Sequence, residues 1–406
     1  MVLVLLWGWV RGRETRASLM QRMALHQAPA PSAGPRIWVH GASVGELRAA
    51  KHLIERLLDN GTHGLIVTAN TQTGVQVARS WALDGVSCRR APADSFGATS
   101  RFLTHWHVQA LLTLENELWP NRVRACARRA IPAFGVGTRV PGAARTGGIV
   151  RRIAVDTLSA YRRIWPQHEA ARDELQGLVA AELIGAPYNA KATLPWRPDR
   201  VAPPAELAPW AGLDIVLAAS THAPEESLLA QVLAQASEAN PSLRMIIAPR
   251  HPDRGHRIAR SLEKYGMSMA CRSENERITA DTRLYLADTM GEMDLWYGAA
   301  ARTIIGGTFA PKGGHTPIEP ILADSLVLHG PDTRNHQDSF AALDAAGGAI
   351  LMADQAALVA ALSRPMHADE LAAGLAAGRR VVMTLAQEAK LRSNEIADHI
   401  YETVNA

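Results

Sequence analysis

The sequence predicts an α/β protein built from two successive doubly wound, Rossmann-like domains, and three observations lead there. The chain has 406 residues, 47% hydrophobic and 20% charged, whereas a single core stops growing near ~250–300 residues. Short apolar, β-branched runs alternate with helical patterns along the whole length, the rhythm of parallel sheets covered on both faces. A proline-rich stretch from Leu194 to Pro209 interrupts that rhythm, which then restarts. The boundaries that follow are an N-terminal segment over 1–34, a first domain over 35–200 and a second over 201–406.

In the first half the spacing predicts strands at Arg36–His40, Gly64–Asn70, Val108–Leu114 and Ile131–Val136. Between the first two, Ser43–Asn60 reads as a helix. Its apolar residues Val44, Leu47, Leu53, Ile54, Leu57 and Leu58 recur at helical spacing, and Ser43 with Glu46 forms a capping box at its start. The second half repeats the scheme: strand Asp214–Ala219, helix Pro224–Ala239, strand Leu243–Ala248, helix Arg254–Tyr265, then strands Thr282–Leu286, Arg302–Ile305 and Ser325–His329. No internal repeat of 20–50 residues is visible, which excludes a solenoid. Two doubly wound domains in succession imply a cleft facing the carboxyl ends of their strands.

The formal charge of +4 conceals an asymmetry: residues 1–200 carry 26 Lys and Arg against 14 Asp and Glu, net +12, and residues 201–406 carry 17 against 25, net −8. A basic first half suits an anionic substrate or an anionic membrane surface. Nucleic acid fits less well, because the basic stretches at Arg122–Arg129 and Arg151–Arg152 lack interleaved aromatics. Cys88, Cys126 and Cys271 show neither metal-ligand nor CxxC spacing, which suggests buried thiols in a reducing compartment. The apolar run Met1–Val10, followed by Arg11, Arg13, Arg16 and Arg22, is too short to span ~30 Å of hydrocarbon. It reads as a helix lying on a membrane, with a packed terminal helix as the competing reading.

Five segments can carry chemistry. His40-Gly41-Ala42-Ser43-Val44-Gly45-Glu46 is a strand end turning directly into a helix. Glu46 therefore sits in a first helical turn, where the positive end of the dipole favours the carboxylate that a general base needs. The same residue completes the capping box, and sequence alone does not separate the two roles. Glu115-Asn116-Glu117-Leu118-Trp119-Pro120 follows another strand end, and alternation along an extended segment would point both carboxylates to one side. Pro249-Arg250-His251-Pro252 places an arginine beyond a strand end, ready to clamp a phosphate or to form a structural ion pair. In Asp288-Thr289-Met290-Gly291-Glu292, backbone N–H groups at a helix start can receive a phosphate or a base edge. The densest signal is Gly306-Gly307 through Gly313-Gly314-His315-Thr316-Pro317-Ile318-Glu319, a glycine-rich turn into a proline-started helix. Such a turn admits close backbone approach by a nucleotide, with Glu319 placed for ribose hydroxyls. The chain has no GxGxxG, GxxxxGK[ST] or HExxH motif, which removes the common dehydrogenase, NTPase and metalloprotease readings.

Taken in order, these segments resemble the Kdo transferase family of lipopolysaccharide biosynthesis, whose pattern runs H-x-x-S-V-G-E, E-T-E-L-W-P-N, S-T-H, P-R-H-P-E-R, D-T-M-G-E-L and G-G-S-x-x-x-x-G-G-H-N-P-L-E. The matching positions here are His40–Glu46, Glu115–Asn121, Ser220–His222, Pro249–Arg254, Asp288–Met293 and Gly306–Glu319. The resemblance implies a GT-B fold with an interdomain cleft. It also implies an inverting transfer of Kdo, an acidic eight-carbon sugar, from CMP-Kdo to a lipid A precursor, a tetraacyldisaccharide bisphosphate, at the cytoplasmic face of the inner membrane. It implies no metal and no cofactor. Carried over residue by residue, it makes Glu46 the catalytic base, Glu115 a support for the transition state and Lys191 a looser match to a lysine of similar role. Pro249, Arg250, Met290, Gly291, Glu292, Thr316, Pro317, Ile318 and Glu319 become the CMP-binding positions. The chain departs from the family pattern at Thr316, where the family has Asn, and at Gly137–Pro141, where only Arg139 is kept of N-A-R-L-S. Two other readings fit the same residues: a paralogue that keeps CMP-Kdo but glycosylates another acceptor, and a non-catalytic nucleotide-binding relic.

Overall fold

The computed structural model describes residues 16–25, 34–59, 63–115, 118–145, 147–193 and 202–406. The apolar run Met1–Val10 lies outside them, and the segment following it shows a helix over Arg16–Arg22. The described chain forms two units, each around one parallel sheet.

In the first unit the strands are β1 (Arg36–Gly41), β2 (Gly64–Ala69), β3 (Val86–Arg90), β4 (Val108–Leu114), β5 (Ala133–Thr138) and β6 (Arg163–Pro166). They lie in the order β3-β2-β1-β4-β5-β6, all parallel, with His40 opposite Thr68 on one side and Thr113 on the other. Helices cover both faces, so β1 is buried at every position, and its run Arg36-Ile37-Trp38-Val39 lacks polar alternation for that reason. The second unit has β7 (Asp214–Thr221), β8 (Leu243–Pro249), β9 (Met269–Cys271), β10 (Leu284–Leu286), β11 (Arg302–Ile305), β12 (Leu326–His329) and β13 (Ala349–Leu351), in the order β13-β12-β11-β7-β8-β10-β9. Successive residues of its central strands feed opposite cores. Val216, Ala218, Met245 and Ile247 pack on one face, and Leu217, Ala219, Ile246 and Ala248 on the other.

The predicted strands are present to within two residues at either end, and four that the sequence analysis left out are edge or next-to-edge elements. β3 ends in Arg89-Arg90, β6 ends in Pro166, and β9 and β13 are three residues long. Edge strands are short and interrupted by charge or proline, which erases the hydrophobic signal that marks central ones. The predicted helix at Arg254–Tyr265 is an α-helix over Gly255–Leu262 with a 3-10 turn at each end.

The domain boundary needs correction. The second unit comprises Pro195–Thr384, and Leu385–Ala406 belongs to the first unit instead of completing the second. The cause is the 38-residue helix Ala368–Asn405. Its final turns bury Ile396, Ala397, Ile400 and Tyr401; the Tyr401 hydroxyl donates to the Leu57 carbonyl, and the His399 ring meets Phe134 and Trp165 edge-on at 6.2 and 5.6 Å. A strand–helix rhythm says that a terminal helix is amphipathic but not which core it covers. Among the described residues no helix is long and apolar enough to cross a membrane.

The second sheet is pinned at its amino end by a buried ion pair. The Arg302 guanidinium, 1% exposed, lies 2.6 Å from Asp214 Oδ2 and donates to the Ala361 carbonyl, while Asn240 donates to the same carboxylate oxygen at 2.8 Å. Asp214→Ala strands a buried cation and is expected to destabilise the second unit by about 3–5 kcal/mol. Urea unfolding followed by circular dichroism checks this. The double substitution Asp214→Leu with Arg302→Met is expected to recover most of the loss, because an apolar pair replaces a buried ion pair at little cost.

Candidate functional site

In an open α/β sheet, ligands bind beyond the carboxyl ends of the strands where the strand order reverses. In the first unit that point lies between β1 and β4. β1 ends at Gly41, where a Cβ would lie 3.0 Å from Leu47 and 3.2 Å from Leu114, so the following helix Val44–Asp59 packs tightly beneath the strand end. Glu46, half-buried in the first turn, accepts hydrogen bonds from the Ala42 N–H at 2.6 Å and the Ser43 hydroxyl at 3.2 Å, and its own N–H donates to Ser43 Oγ at 3.3 Å. The capping box is therefore real, and it holds the carboxylate at the switch point.

Glu115 is the residue directly after β4. Its backbone adopts φ +51°, a left-handed conformation that a residue with a Cβ takes only at a cost of roughly 1–2 kcal/mol. The predicted alternation of Glu115 and Glu117 involves Glu117, which lies outside the described residues. The turn directs the Glu115 carboxylate, 12% exposed, between two cations: Lys191 Nζ at 3.4 Å and the Arg139 guanidinium at 3.7 Å. Lys191 stands on the 3-10 turn Ala190–Thr193. That turn is tied by the Thr193 hydroxyl to the Ala49 carbonyl, 3.0 Å away, on the same helix that carries Glu46. The structure thus brings Lys191 to Glu115 although the two are far apart in sequence. Arg139, not among the predicted site residues, joins them, and its retention in an otherwise altered segment was the available signal.

In the second unit the order reverses between β7 and β11. The glycine turn is shaped by contact with β7: a Cβ at Gly306 would lie 2.3 Å from the Ser220 carbonyl oxygen, and Gly307 has φ +75°. Glu225, 2% exposed, binds the turn to the strand end by accepting from the N–H groups of His222 (2.9 Å), Gly307 (2.8 Å) and Phe309 (3.0 Å). Burial raises its pKa, with these three bonds opposing. His222 and His315 meet through their Nε2 atoms at 2.9 Å, with 3° between the ring planes. Burial holds the His222 pKa below its ordinary value, and Lys312, His251 and Arg250 act in the same direction against Glu226. Pro249 closes β8, and the Arg250 N–H donates to the Thr221 carbonyl at 3.0 Å. Beside them Arg254 grips Glu226 through two bonds of 3.0 and 3.2 Å.

The remaining predicted positions divide by exposure. Met290 is 76% exposed, Gly291 has φ +88°, and Glu292 is clamped by Arg272 at 2.8 and 3.2 Å, which holds its carboxyl below the usual range. Arg272 also bonds Glu206 and was not foreseen. Pro317 and Ile318 are buried, so they offer a ligand backbone only; Thr316 Oγ1 accepts from the Ile318 N–H at 3.4 Å, and Glu319 is exposed, 3.5 Å from the Tyr297 hydroxyl. His222, Glu225 and His315 were missed as site residues, although Ser220–His222 and the glycine turn were recognised as motifs. The three cysteines are buried and free, with burial pushing Cys126 and Cys271 up to about 12, far from a reactive thiolate. Among the described residues no group of three His, Cys, Asp or Glu side chains is placed to hold a metal.

The chain shares sequence and fold with known proteins. The family model described as 3-deoxy-D-manno-octulosonic-acid transferase (kdotransferase) matches residues 17–193. A 3-deoxy-D-manno-octulosonic acid transferase of Bordetella pertussis is 31% identical over 376 residues, covering 87% of this chain and 85% of that one. A probable mitochondrial 3-deoxy-D-manno-octulosonic acid transferase of Arabidopsis thaliana is 30% identical over 347 residues, covering 80% and 75%. The crystal structure of a glycosyltransferase from Rickettsia africae ESF-5 superposes with a TM-score of 0.61 at 12% identity, covering 91% of this chain and 98% of that one, a likeness of fold. With its two parallel sheets in the GT-B manner, the chain belongs to the 3-deoxy-D-manno-octulosonic acid (Kdo) transferase family of glycosyltransferases.

Proposed function

We propose that this enzyme transfers Kdo from CMP-Kdo to an anionic lipid A precursor, a tetraacyldisaccharide bisphosphate, with inversion at the anomeric carbon and with Glu46 as general base. The observation that carries this reading is the first unit's switch point, where Glu46 follows β1 and Glu115, held 3.4 Å from Lys191 and 3.7 Å from Arg139, follows β4. An acceptor hydroxyl attacks the anomeric carbon and loses its proton to Glu46. The bond from that carbon to the phosphate oxygen breaks, and its electron pair leaves with CMP. Glu115, Arg139 and Lys191 form a fixed set of charges, and preorganised charge lowers a barrier without reorganising during the reaction.

The second unit is proposed to hold the donor. Pro249, Arg250, Met290, Gly291, Glu292, Thr316, Pro317, Ile318 and Glu319 cradle CMP, Arg250 meets the charge developing on the phosphate, and neither metal nor cofactor takes part in the proposal. The buried side chain of Ile318 restricts its share to backbone contact. Glu292 is already oriented by Arg272.

Attachment to the cytoplasmic face of the inner membrane is supported by the helix Gly148–Leu158, where Ile149 (74%), Val150 (45%) and Ile153 (40%) are exposed next to the exposed Arg151 and Arg152. Apolar side chains beside arginines suit an interface of acyl chains and anionic headgroups.

Glu46→Gln keeps the capping geometry, because glutamine serves equally at that position of a capping box. It is expected to lower kcat by about 10²–10⁴, the usual worth of a general base, with CMP affinity unchanged. Product formation from CMP-Kdo and the lipid precursor measures this, and an unaltered kcat removes Glu46 from the role. CMP release by the wild type without glycolipid product points to another acceptor. Replacing Ile149, Val150 and Ile153 together by Asn is expected to reduce binding to anionic vesicles at least about tenfold, a loss of ~1.4 kcal/mol or more from the removed apolar contact. Cosedimentation of the full chain checks it, and unchanged binding places the membrane contact elsewhere.

A further inference from the structure

The His222–His315 pair has no part in the mechanism above, yet it occupies the second unit's switch point. His222 follows β7 directly, and His315 is held at the end of the glycine turn by its N–H bond to the Gly306 carbonyl at 3.2 Å. We infer that these two imidazoles act as one proton-holding unit that binds the phosphate of the nucleotide and takes up a single proton when that phosphate is dianionic. The inference rests on the reading that this unit binds a CMP-sugar.

The geometry sets the proton count. Two Nε2 atoms at 2.9 Å share a hydrogen bond only when one of them carries a proton there. A hydrogen on both would drive two N–H groups into each other, so the pair accepts one positive charge readily and resists a second. The surroundings decide when that charge is present. His251, with its ring 6.0 Å from that of His222, and Arg250 and Lys312 all oppose it, as does burial; Glu226 favours it. The two carboxylates nearby are already engaged, Glu225 by three backbone N–H groups and Glu226 by Arg254 and the Thr221 hydroxyl. Without ligand, the balance keeps His222 neutral near pH 7. A phosphate dianion among these groups supplies the missing negative charge and draws in the proton. In the proposed reaction the donor is a phosphodiester monoanion and the leaving CMP a dianion, so the pair gains its proton from solvent as the bond to the sugar breaks. The proton leaves again with CMP.

Calorimetric titration of the full chain with CMP, in buffers of different ionisation enthalpy near pH 7.5, counts the protons exchanged. The expected result is uptake of about one proton per CMP and none with cytidine, which lacks the phosphate. His222→Gln and His315→Gln are each expected to abolish the uptake and weaken CMP about tenfold, with cytidine binding and melting temperature unchanged. Uptake that persists in both variants, or is absent from a wild type that binds CMP, overturns the pair while leaving the nucleotide reading intact. A wild type that binds neither CMP nor cytidine overturns both readings. An imidazole NMR titration of the ligand-free protein gives a test independent of CMP: a single protonation step shared by the two rings is expected, and two independent steps overturn the inference.

Discussion

A parallel sheet that reverses its strand order leaves backbone N–H groups without partners just beyond the reversing strands, and both units satisfy them with a glutamate from the first turn of the next helix. Glu46 takes the Ala42 N–H after β1; Glu225 takes those of His222, Gly307 and Phe309 after β7. The two solutions differ in what they leave over. Glu225 is buried and engaged by three donors, which makes it a structural keystone of the glycine turn. Glu46 is half-buried and accepts from the Ala42 N–H and the Ser43 hydroxyl. The same local need therefore yields a scaffold carboxylate in one unit and a candidate base in the other.

The glycine turn shows how tightly the second unit is built around that keystone. At 2.3 Å from the Ser220 carbonyl, no side chain fits at Gly306 without moving backbone. Ser220 itself sits at φ +59° to make the approach. Backbone in such conformations persists only where its surroundings over-determine it, and here the surroundings are the Glu225 carboxylate and the parallel pairing of Ile305 with Ala219. The rigidity places His222 and His315 within hydrogen-bond distance although 93 positions separate them.

What the sequence made legible follows from the range of each signal. Central strands announce themselves by unbroken apolar runs, and the capping box at Ser43 and Glu46 is a local pattern; both were readable. The Glu115–Lys191–Arg139 group was readable only in part, because its members are joined by the fold. Glu115 was placed at a strand end, but its left-handed backbone leaves no mark in residue type, since only glycine advertises positive φ. The His222–His315 contact and the return of Leu385–Ala406 to the first unit are long-range facts, invisible to any window of neighbouring residues.

The departures from the family pattern gain meaning from the same geometry. Gly137–Pro141 keeps only Arg139 of its family segment, but Gly137, at φ +65°, lets the chain turn so that its Cβ position lies 3.9 Å from Glu115 Cγ. Arg139 is thereby delivered to the Glu115 carboxylate. The segment preserves a position in space rather than a string of residues. Thr316 behaves similarly. Its hydroxyl accepts the Ile318 N–H at 3.4 Å, capping the turn before the short helix Ile318–Leu322 with an oxygen on a shorter arm than the amide it replaces. An arm spent on that local bond reaches less far outward, which in the proposed CMP site leaves a larger share to Glu319, exposed and set against Tyr297.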